Sequence, residues 1–433
     1  MTPRGPRLAY YGDDFTGATD ALATATRAGL RSLLFFGVPT PAQLQRVGPL
    51  DCLGIAGATR AMAPDAMRAA LQPVAAFFRE LQPRVVHYKV CSTFDSAEQV
   101  GNIATAMQAL GGAVRQRWPA IIGGQPSLGR YCVFAQLYAA ADGEVHRIDR
   151  HPTMSRHPVT PMHEADLRRH FARLGAGRVG LVDLRACAQG SAAIRERVQA
   201  LLAEGADAVL FDVAEARHLE AIGAVLAAAA EADSLLAVGA SSVIEALGAQ
   251  WGDAAAATPD GVAPAQGPVL LLAGSLSPVT ARQVQAAASY RKIRLDPARL
   301  AQGDAAYRDT AAAGLAQALQ DGHHVLAWID NDAGQRTGGV QSQALARAGG
   351  HLLDAVLRRR PVARLGVAGG DSSSLAMQAL DAWGLSHLGR IEPGVALCRL
   401  HSDLPALDGM QVMLKGGQMG SADLFERFVH GAG

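Results

Sequence analysis

Lysine is almost missing from this chain: of its 40 cationic side chains, only Lys89, Lys292 and Lys415 are lysine. A sequence so rich in Ala, Gly and Arg reflects a coding bias that drains lysine codons, so the lysines that persist are candidates for a role. Charge of one sign is not in excess either. The formal net charge is +1 and the pI is near 7.8, which offers nothing to a polyanion or an anionic surface and argues against nucleic acid as the main ligand. Cysteine is sparse and scattered (Cys52, Cys91, Cys132, Cys187, Cys398) with no C-x-x-C pair, against a disulfide framework or a thiolate zinc site. No apolar run reaches the roughly 18 residues of a membrane span. The start "MTPRGPRLAYYGDDF" meets acidic residues too early for a signal or transit peptide. A cytoplasmic protein with reduced thiols, no membrane partner and no nucleic-acid partner is expected. His151, His157, His163 and His170 are too irregularly spaced for H-E-x-x-H or a similar signature, and no metal ligand is assigned.

A chain of 433 residues, 49% of them hydrophobic, can bury two sizeable cores. Short apolar runs alternate with Ala-rich helical patterns: "RLAYYG", "SLLFFG", "CLGIAG", "VVHYKV", "AIIGG", "VGLVDL", "AVLFDV" and "LLAVGA" in the first half, "PVLLLAG", "KIRLD", "HHVLAWI", "RLGVAG" and "QVMLKG" in the second. Strands separated by helices imply βαβ units and mostly parallel sheets flanked by helices. The expected fold is therefore α/β with two domains, residues 1–245 and 268–433. Between them the Ala-, Gly- and Pro-rich residues 246–267 read as a linker.

Three places in the second half share one design, an apolar strand, a turn of Gly and Ser, and a helix start: "LLLAGSLSPVTARQV", "RLGVAGGDSSSLAMQAL" and "QVMLKGGQMGSADLF". Ser277 is placed to cap a helix whose first residue is Pro278. One such turn is ordinary in any α/β domain. Three can converge on a ligand, because parallel strands deliver their carboxyl ends to one edge, where helix N-termini offer free N–H groups and glycines admit a phosphate. Lys415 ends a strand inside the third turn, where its ammonium would meet phosphate or stand solvated on the surface. There is no Walker-type loop, and "GAGRVG" precedes its strand where a dinucleotide fingerprint must follow one, which disfavours a nicotinamide dehydrogenase.

In the first half, "YYGDDFTGATDAL" sets Asp13 and Asp14 between a strand and a helix that Thr16 is expected to cap. A carboxylate at that edge can take a proton from an attacking hydroxyl while its neighbour holds other hydroxyls or a metal; Asp is equally a common turn residue. "HYKVCSTFDS" ends another strand with Lys89, Ser92, Thr93 and Asp95, a cation, hydroxyl and carboxylate mix suited to a polar acid. A ligand carboxylate or a buried Asp could pair Lys89. "RIDRHPTMSRHPVTPM" is a basic loop stiffened by proline, with Arg150 and His157 as candidate anchors.

Taken together, "GDDFTGATD", "YKVCSTFDS", "HPVTPM", "AGSLSPVTARQ", "AGGDSSS" and "KGGQMGSADLF" occur in an order that resembles the four-carbon acid sugar kinases over nearly the whole chain. The resemblance implies a substrate domain and a nucleotide domain with the active site in the cleft between them, and phosphorylation of a small sugar acid by ATP with Mg²⁺. By the resemblance "GDDFTGA" would lie on the substrate, and Asp13 or Asp14 is the expected catalytic residue that orients or deprotonates the hydroxyl. Lys89, Ser92, Thr93, Asp95, Arg150, His157 and Pro158 would hold the acid, and Ser275, Ser277, Gly369, Gly370, Asp371, Ser372, Lys415, Gly416, Gly417 and Gly420 the ATP. The chain departs from the family's pattern at Asp371-Ser372-Ser373, often Glu-Thr-Ser, and at Gly416-Gly417, often Ser-Gly. The segment "RYCVFAQLYAAADGEVHRIDRHPTMSRHPVTPM" resembles the branch acting on 3-oxo-isoapionate more than the 3-oxo-tetronate or threonate branches. A homodimer is plausible from the Ala- and Leu-rich helices. A sugar-acid and nucleotide-binding regulatory protein is the alternative, which would bind both ligands without forming ADP.

Overall fold

In the computed structural model of the protein, residues 5–141, 143–157, 159–253, 261–329 and 339–432 are described, without the side chains of 339–342 and 371. The chain divides into two compact units, Met1–Ser32 with Val38–Ala257, and Leu33–Gly37 with Thr258–Gly433.

The strands of the first half are β1 (Leu8–Gly12), β2 (Ser32–Phe35), β3 (Cys52–Ala56), β4 (Val85–Lys89), β5 (Ala120–Ile122), β6 (Arg130–Val133), β7 (Gln136–Ala141), β8 (Glu144–Arg147), β9 (Val179–Val182), β10 (Ala208–Phe211) and β11 (Leu235–Gly239). The first unit holds a parallel sheet in the order β3-β1-β4-β11-β5-β10-β9. Its central strands are continuous apolar runs buried along their whole length, as a parallel sheet covered on both faces requires. Ala56, Gly12, Lys89, Gly239 and Ile122 end β3, β1, β4, β11 and β5 in register, so the loops that follow leave from one edge. Strands β6, β7 and β8 form a small antiparallel sheet, a departure from the parallel βαβ expectation. Its residues alternate less cleanly between buried and exposed.

The second unit adds β12 (Val269–Ala273), β13 (Tyr290–Leu295), β14 (His324–Ile329), β15 (Arg364–Ala368), β16 (Gly384–Glu392), β17 (Val395–His401) and β18 (Gln411–Lys415). Strands β13-β14-β12-β15-β18 are parallel, and β17 and β16 continue the sheet antiparallel. Leu34 and Phe35 of β2 then pair with β16. The Phe35 ring stacks on Trp383 at 5.9 Å and the Phe36 N–H bonds the Trp383 carbonyl at 3.0 Å. "SLLFFG" is thus a strand as expected, but residues 33–37 belong with the second unit, because an open edge of β16 is satisfied by a segment hundreds of residues away in sequence. The helix Ser242–Trp251 also runs into the stretch read as linker. Among the described residues, no helix is long and apolar enough to cross a membrane.

Candidate active site

In the first unit the acidic turn follows β1 directly. Asp14, not Thr16, caps the helix Phe15–Arg27: its Oδ1 accepts from Gly17 N–H at 2.6 Å, while the Asp14 backbone stays extended. Thr16 lies inside the helix, and its Oγ1 is buried with no hydrogen-bond partner. Between the two carboxylates lies a residue that the sequence reading passed over. Arg60, in the short helical turn after β3, donates from Nε and Nη2 to the two oxygens of Asp13 (3.1 and 2.8 Å), and from Nη1 to Asp14 Oδ2 (2.6 Å). Its own N–H bonds the Asp13 carbonyl at 3.1 Å, and Asp13 N–H bonds the Lys89 carbonyl at 2.9 Å. One guanidinium therefore holds both acids in a bidentate fork. Burial, aided by the like charge of Asp14, pushes the Asp13 carboxyl above its ordinary value against the pull of Arg60. Burial works against the Arg60 cation too, but Asp13 and Asp14 outweigh it and hold the guanidinium well above its usual value.

Lys89 ends β4 fully enclosed. Its Nζ donates to the Val90 carbonyl at 2.9 Å and lies within electrostatic reach of Asp13. A side chain at Gly17 would run into this Nζ and into the Asp14 carboxylate, so the glycine is what lets the lysine and the acidic turn share the space. Past Lys89, Phe94 sits at φ +53° with its ring buried edge-on to Phe171 at 5.9 Å. That positive φ in a bulky residue is held by burial and turns its two neighbours inward. Thr93 Oγ1 donates to Asp95 Oδ1 at 2.5 Å, and Thr160 Oγ1 approaches Asp95 Oδ2 at 3.4 Å. His157 Nδ1 accepts from the Thr160 N–H at 3.1 Å. Thr93, Asp95 and His157 are thus brought together, with Ser92 in the adjoining turn. Arg150 is not brought to this group by any described contact: it stands exposed at the end of the short helical turn Ile148–Arg150. Pro158 lies outside the described residues.

In the second unit, β12, β15 and β18 are adjacent and end in register at Ala273, Ala368 and Lys415, so the three Gly/Ser turns leave from neighbouring strand ends. Gly274 and Ser275 N–H both bond the Ala368 carbonyl (3.0 and 2.9 Å), and Gly369 N–H bonds the Lys415 carbonyl (2.9 Å). Side chains at Gly274, Gly369 and Gly417 would collide with, or press tightly on, Ser372, Ser275 and their surroundings, which explains the glycines. Ser277 caps the helix Pro278–Ala286 as expected, accepting from Thr280 N–H at 3.1 Å, and its hydroxyl donates to the Gly417 carbonyl. Gln283, wholly buried, donates to the carbonyls of Met419, Gly420 and Ser421 at 2.9–3.2 Å. It fastens the third turn, including Gly420 at φ +86°, to the helix after the first.

Lys415 departs from its expected position. It is completely buried, and its Nζ donates to Thr280 Oγ1 (3.1 Å) and Gln283 Oε1 (2.7 Å), 5.8 Å from the centre of the Phe425 ring. Burial lowers its pKa to about 8. The lysine braces the floor of the turns from below and does not present an open ammonium to a ligand. What the turns do present is the start of the helix Gly370–Ala379. Its cap residue is Gly369, which has no side chain to occupy the first N–H groups, and the first helical bond is Ser373 N–H to the Gly369 carbonyl at 2.8 Å. The N–H groups of Gly370, Asp371 and Ser372 precede that bond and suit an anion; the Asp371 side chain is outside the described residues. Beside these turns lies a cavity of about 400 Å³ lined by Ser275, Leu276, Val284, Lys292 and Trp328 among others, with apolar and aromatic walls suited to a nucleoside.

An uncapped helix start within a glycine cradle in one unit, and a forked pair of acids at the carboxyl edge of the parallel strands of the other, suit an anionic ligand and a small polar ligand respectively. Residues 8–247 match the model of a sugar-binding N-terminal domain and residues 270–425 that of a nucleotide-binding C-terminal domain. The chain belongs to the four-carbon acid sugar kinases, the DUF1537 family. It is 38% identical to a 3-oxo-isoapionate kinase of Paraburkholderia graminis, over 98% of this chain and 94% of that one. It is 31% identical to a 3-oxo-tetronate kinase of Cupriavidus necator, over 97% and 96% of the two chains. A crystal structure from Salmonella typhimurium LT2, provisionally described as a tRNA synthase, superposes with a TM-score of 0.81 at 26% identity, covering 98% of each chain. Haemophilus influenzae protein HI1011 shares the fold, with a TM-score of 0.75 at 23% identity over 97% and 99% of the two chains.

Proposed function

We propose that the protein is an ATP-dependent kinase that phosphorylates a hydroxyl of a small acid sugar, and that this acid is the branched 3-oxo-isoapionate. The observation that carries the reading is the Asp13–Arg60–Asp14 fork at the carboxyl edge of the first sheet, in a chain whose second unit gathers three Gly/Ser turns at one sheet edge. The name of the relative that is 38% identical supports the branched acid over a tetronate.

Bound ATP supplies the phosphoryl group, with Mg²⁺ carried largely by its phosphates, an ion that needs few protein ligands. The protein's part is placement and charge. Asp13 uses one lone pair on each oxygen for Arg60 and keeps another to accept the proton of the attacking hydroxyl. Burial raises its basicity, while Arg60 keeps it ionised and aimed. Asp14 holds the helix start beside it. In the second unit the first N–H groups of Gly370–Ala379 meet phosphate oxygens, and the glycines at 274, 369 and 417 keep the backbone close enough to do so. Lys415 and Gln283 hold those turns in shape.

The test is ADP release with Mg-ATP against a panel of 3-oxo-isoapionate, 3-oxo-tetronates, threonates and erythronates. Turnover of the branched acid is expected. Turnover only of a four-carbon acid would overturn the choice of substrate and keep the kinase. Binding heat from nucleotide and acid with no ADP formed would replace the kinase with a regulatory binding protein.

A further inference from the structure

We infer that Arg130, with Gln125 and Ser242, forms the subsite that takes the carboxylate end of the acid sugar, at the far side of the same sheet edge from the Asp13–Arg60–Asp14 fork. The inference rests on the proposed acid-sugar substrate and assigns its binding direction.

Three buried polar atoms of this strip have no hydrogen-bond partner: Arg130 Nε, Gln125 Oε1 and Ser242 Oγ. Gln125 and Ser242 follow β5 and β11, whose ends are in register with Lys89, and Arg130, which opens β6, bridges directly to Gln125. Gln125 N–H bonds the Arg130 carbonyl at 2.9 Å and Arg130 N–H bonds the Gln125 carbonyl at 3.1 Å. Farther along β6, Cys132 and Val213 exchange backbone bonds at 2.8 and 3.0 Å. The arginine is therefore rooted on a strand fastened to two loops of the main sheet. Thr16 Oγ1, also without a partner, lies one helical turn before Asp20, whose carboxylate accepts from Ser241 Oγ at 2.5 Å. That bond joins the helix after the acidic turn to Ser241, the residue that opens onto the helix carrying Ser242.

A buried polar atom without a partner forfeits its hydration and calls for an explanation; several at one sheet edge call for a ligand. The bonds that Arg130 does make indicate which ligand. Its Nη1 donates to the carbonyls of Leu128, Gly129 and Ala140 at 2.8–3.4 Å, which fixes the plane of the guanidinium and leaves the Nε side for a bidentate acceptor. No carboxylate of the described residues bonds or ion-pairs with it, and burial presses its pKa below the ordinary guanidinium value. Arg60 and Arg130 both lie within electrostatic reach of Cys91 in the loop after β4. Yet Arg60 is saturated by two acids and Arg130 by none, so an incoming carboxylate gains most at Arg130. Gln125 Nε2 donates to Glu245 Oε1 at 2.9 Å, which leaves its buried Oε1 as an unused acceptor for a substrate hydroxyl next to the carboxylate. Of the sequence's two candidates for this task, Arg150 is exposed, and Lys89 is enclosed with its Nζ on the Val90 carbonyl.

The experiment uses the full chain and two readouts, steady-state kinetics of ADP release and calorimetric titration with the acid and with ADP. Arg130→Gln should raise KM and Kd for the acid roughly 10- to 100-fold, with kcat changed far less and ADP affinity unchanged. Arg130→Lys should recover part of the loss, and Arg150→Gln should be neutral. The wild type should prefer the acid to its neutral amide, and Arg130→Gln should lose that preference. An unchanged acid-to-amide ratio in Arg130→Gln, with wild-type turnover intact, would overturn the inference and leave the kinase standing. Acid binding that depends on Arg130 in a wild type forming no ADP would support the inference and remove the kinase. A wild type that neither binds nor turns over any of the acids would overturn both. If Arg130→Gln fails to fold, shown by scanning calorimetry, Ser242→Ala with Gln125→Leu carries the test: weakened acid binding with ADP affinity unchanged supports the inference, and unchanged acid binding overturns it.

Discussion

Arg60 is the residue whose removal tests the logic of the acidic turn most directly. Its side chain is 25% exposed and that of Asp13 6%, so the pair is shielded from water without being wholly dry. Breaking a fully buried pair costs about 3–5 kcal/mol, because the remaining charge is stranded. Discounting for the exposed quarter of Arg60, Arg60→Met should cost about 2–4 kcal/mol at pH 8. For a unit of this size that corresponds to a fall in Tm of about 4–16 °C. The sign with pH follows from Asp13. Its folded pKa already lies above the unfolded value, so its ionised form opposes folding above both values, and protonation relieves the penalty as pH falls through the folded pKa. Without Arg60 that pKa rises further, so the deficit of Arg60→Met should shrink between pH 8 and pH 5. Arg60→Met/Asp13→Asn should regain most of the lost stability at pH 8. Scanning calorimetry at several pH values measures this, with ADP titration reporting that the second unit is intact. A deficit independent of pH, or a double variant no better than the single one, would refute the electrostatic account and leave Arg60 as a packing residue.

Other outcomes follow from the same geometry. Asp13→Asn should lower kcat by roughly 10²- to 10⁴-fold with little change in ADP affinity, since it removes the proton acceptor and leaves the phosphate turns untouched; single-turnover kinetics checks it, and unchanged turnover would take Asp13 out of the chemistry. Lys415, pressed by burial to about 8 from the ordinary lysine value of 10.5, is neutral in the folded state between those values while still charged when unfolded. It should make stability rise with pH across that window, and Lys415→Met should abolish the rise in urea titrations at pH 8, 9 and 10. Gly417→Ala puts a methyl group against Ser275 and should weaken ADP binding about tenfold or more while acid binding in the other unit is kept, read by calorimetry. Ser277→Ala removes a helix cap and the bond to Gly417, and should cost about 1–2 kcal/mol in urea unfolding of the second unit.

Much of the fold was legible because parallel strands buried on both faces must be short apolar runs, and every run quoted from the first half is a strand. The capping of Pro278–Ala286 by Ser277 was legible for a local reason: a cap depends on residues within one turn. The same local reasoning misjudged Asp14 and Thr16, because either could cap and what decides is that Arg60 draws Asp14 into place from another strand's loop. The antiparallel strands β6–β8 went unforeseen, since their residues are only partly covered and their alternation is weak.

What the sequence by itself determined is therefore the set of parts: mostly parallel sheets, Gly/Ser turns at strand ends, a pair of acids after the first strand, and the ordered motifs that mark the family. Tertiary structure alone decided how those parts are charged and held. It brought Arg60 onto Asp13 and Asp14 across 47 and 46 residues of chain, sent Lys415 into the interior beneath Gln283, and gave residues 33–37 to the second unit. It also set Arg130, rather than Arg150, against the main sheet edge. The physical reason is common to all four. Local pattern reports which side chains prefer burial or a turn, whereas the partner that neutralises a charge or closes a sheet edge comes from wherever the folded backbone delivers it, and that distance leaves no period in the sequence.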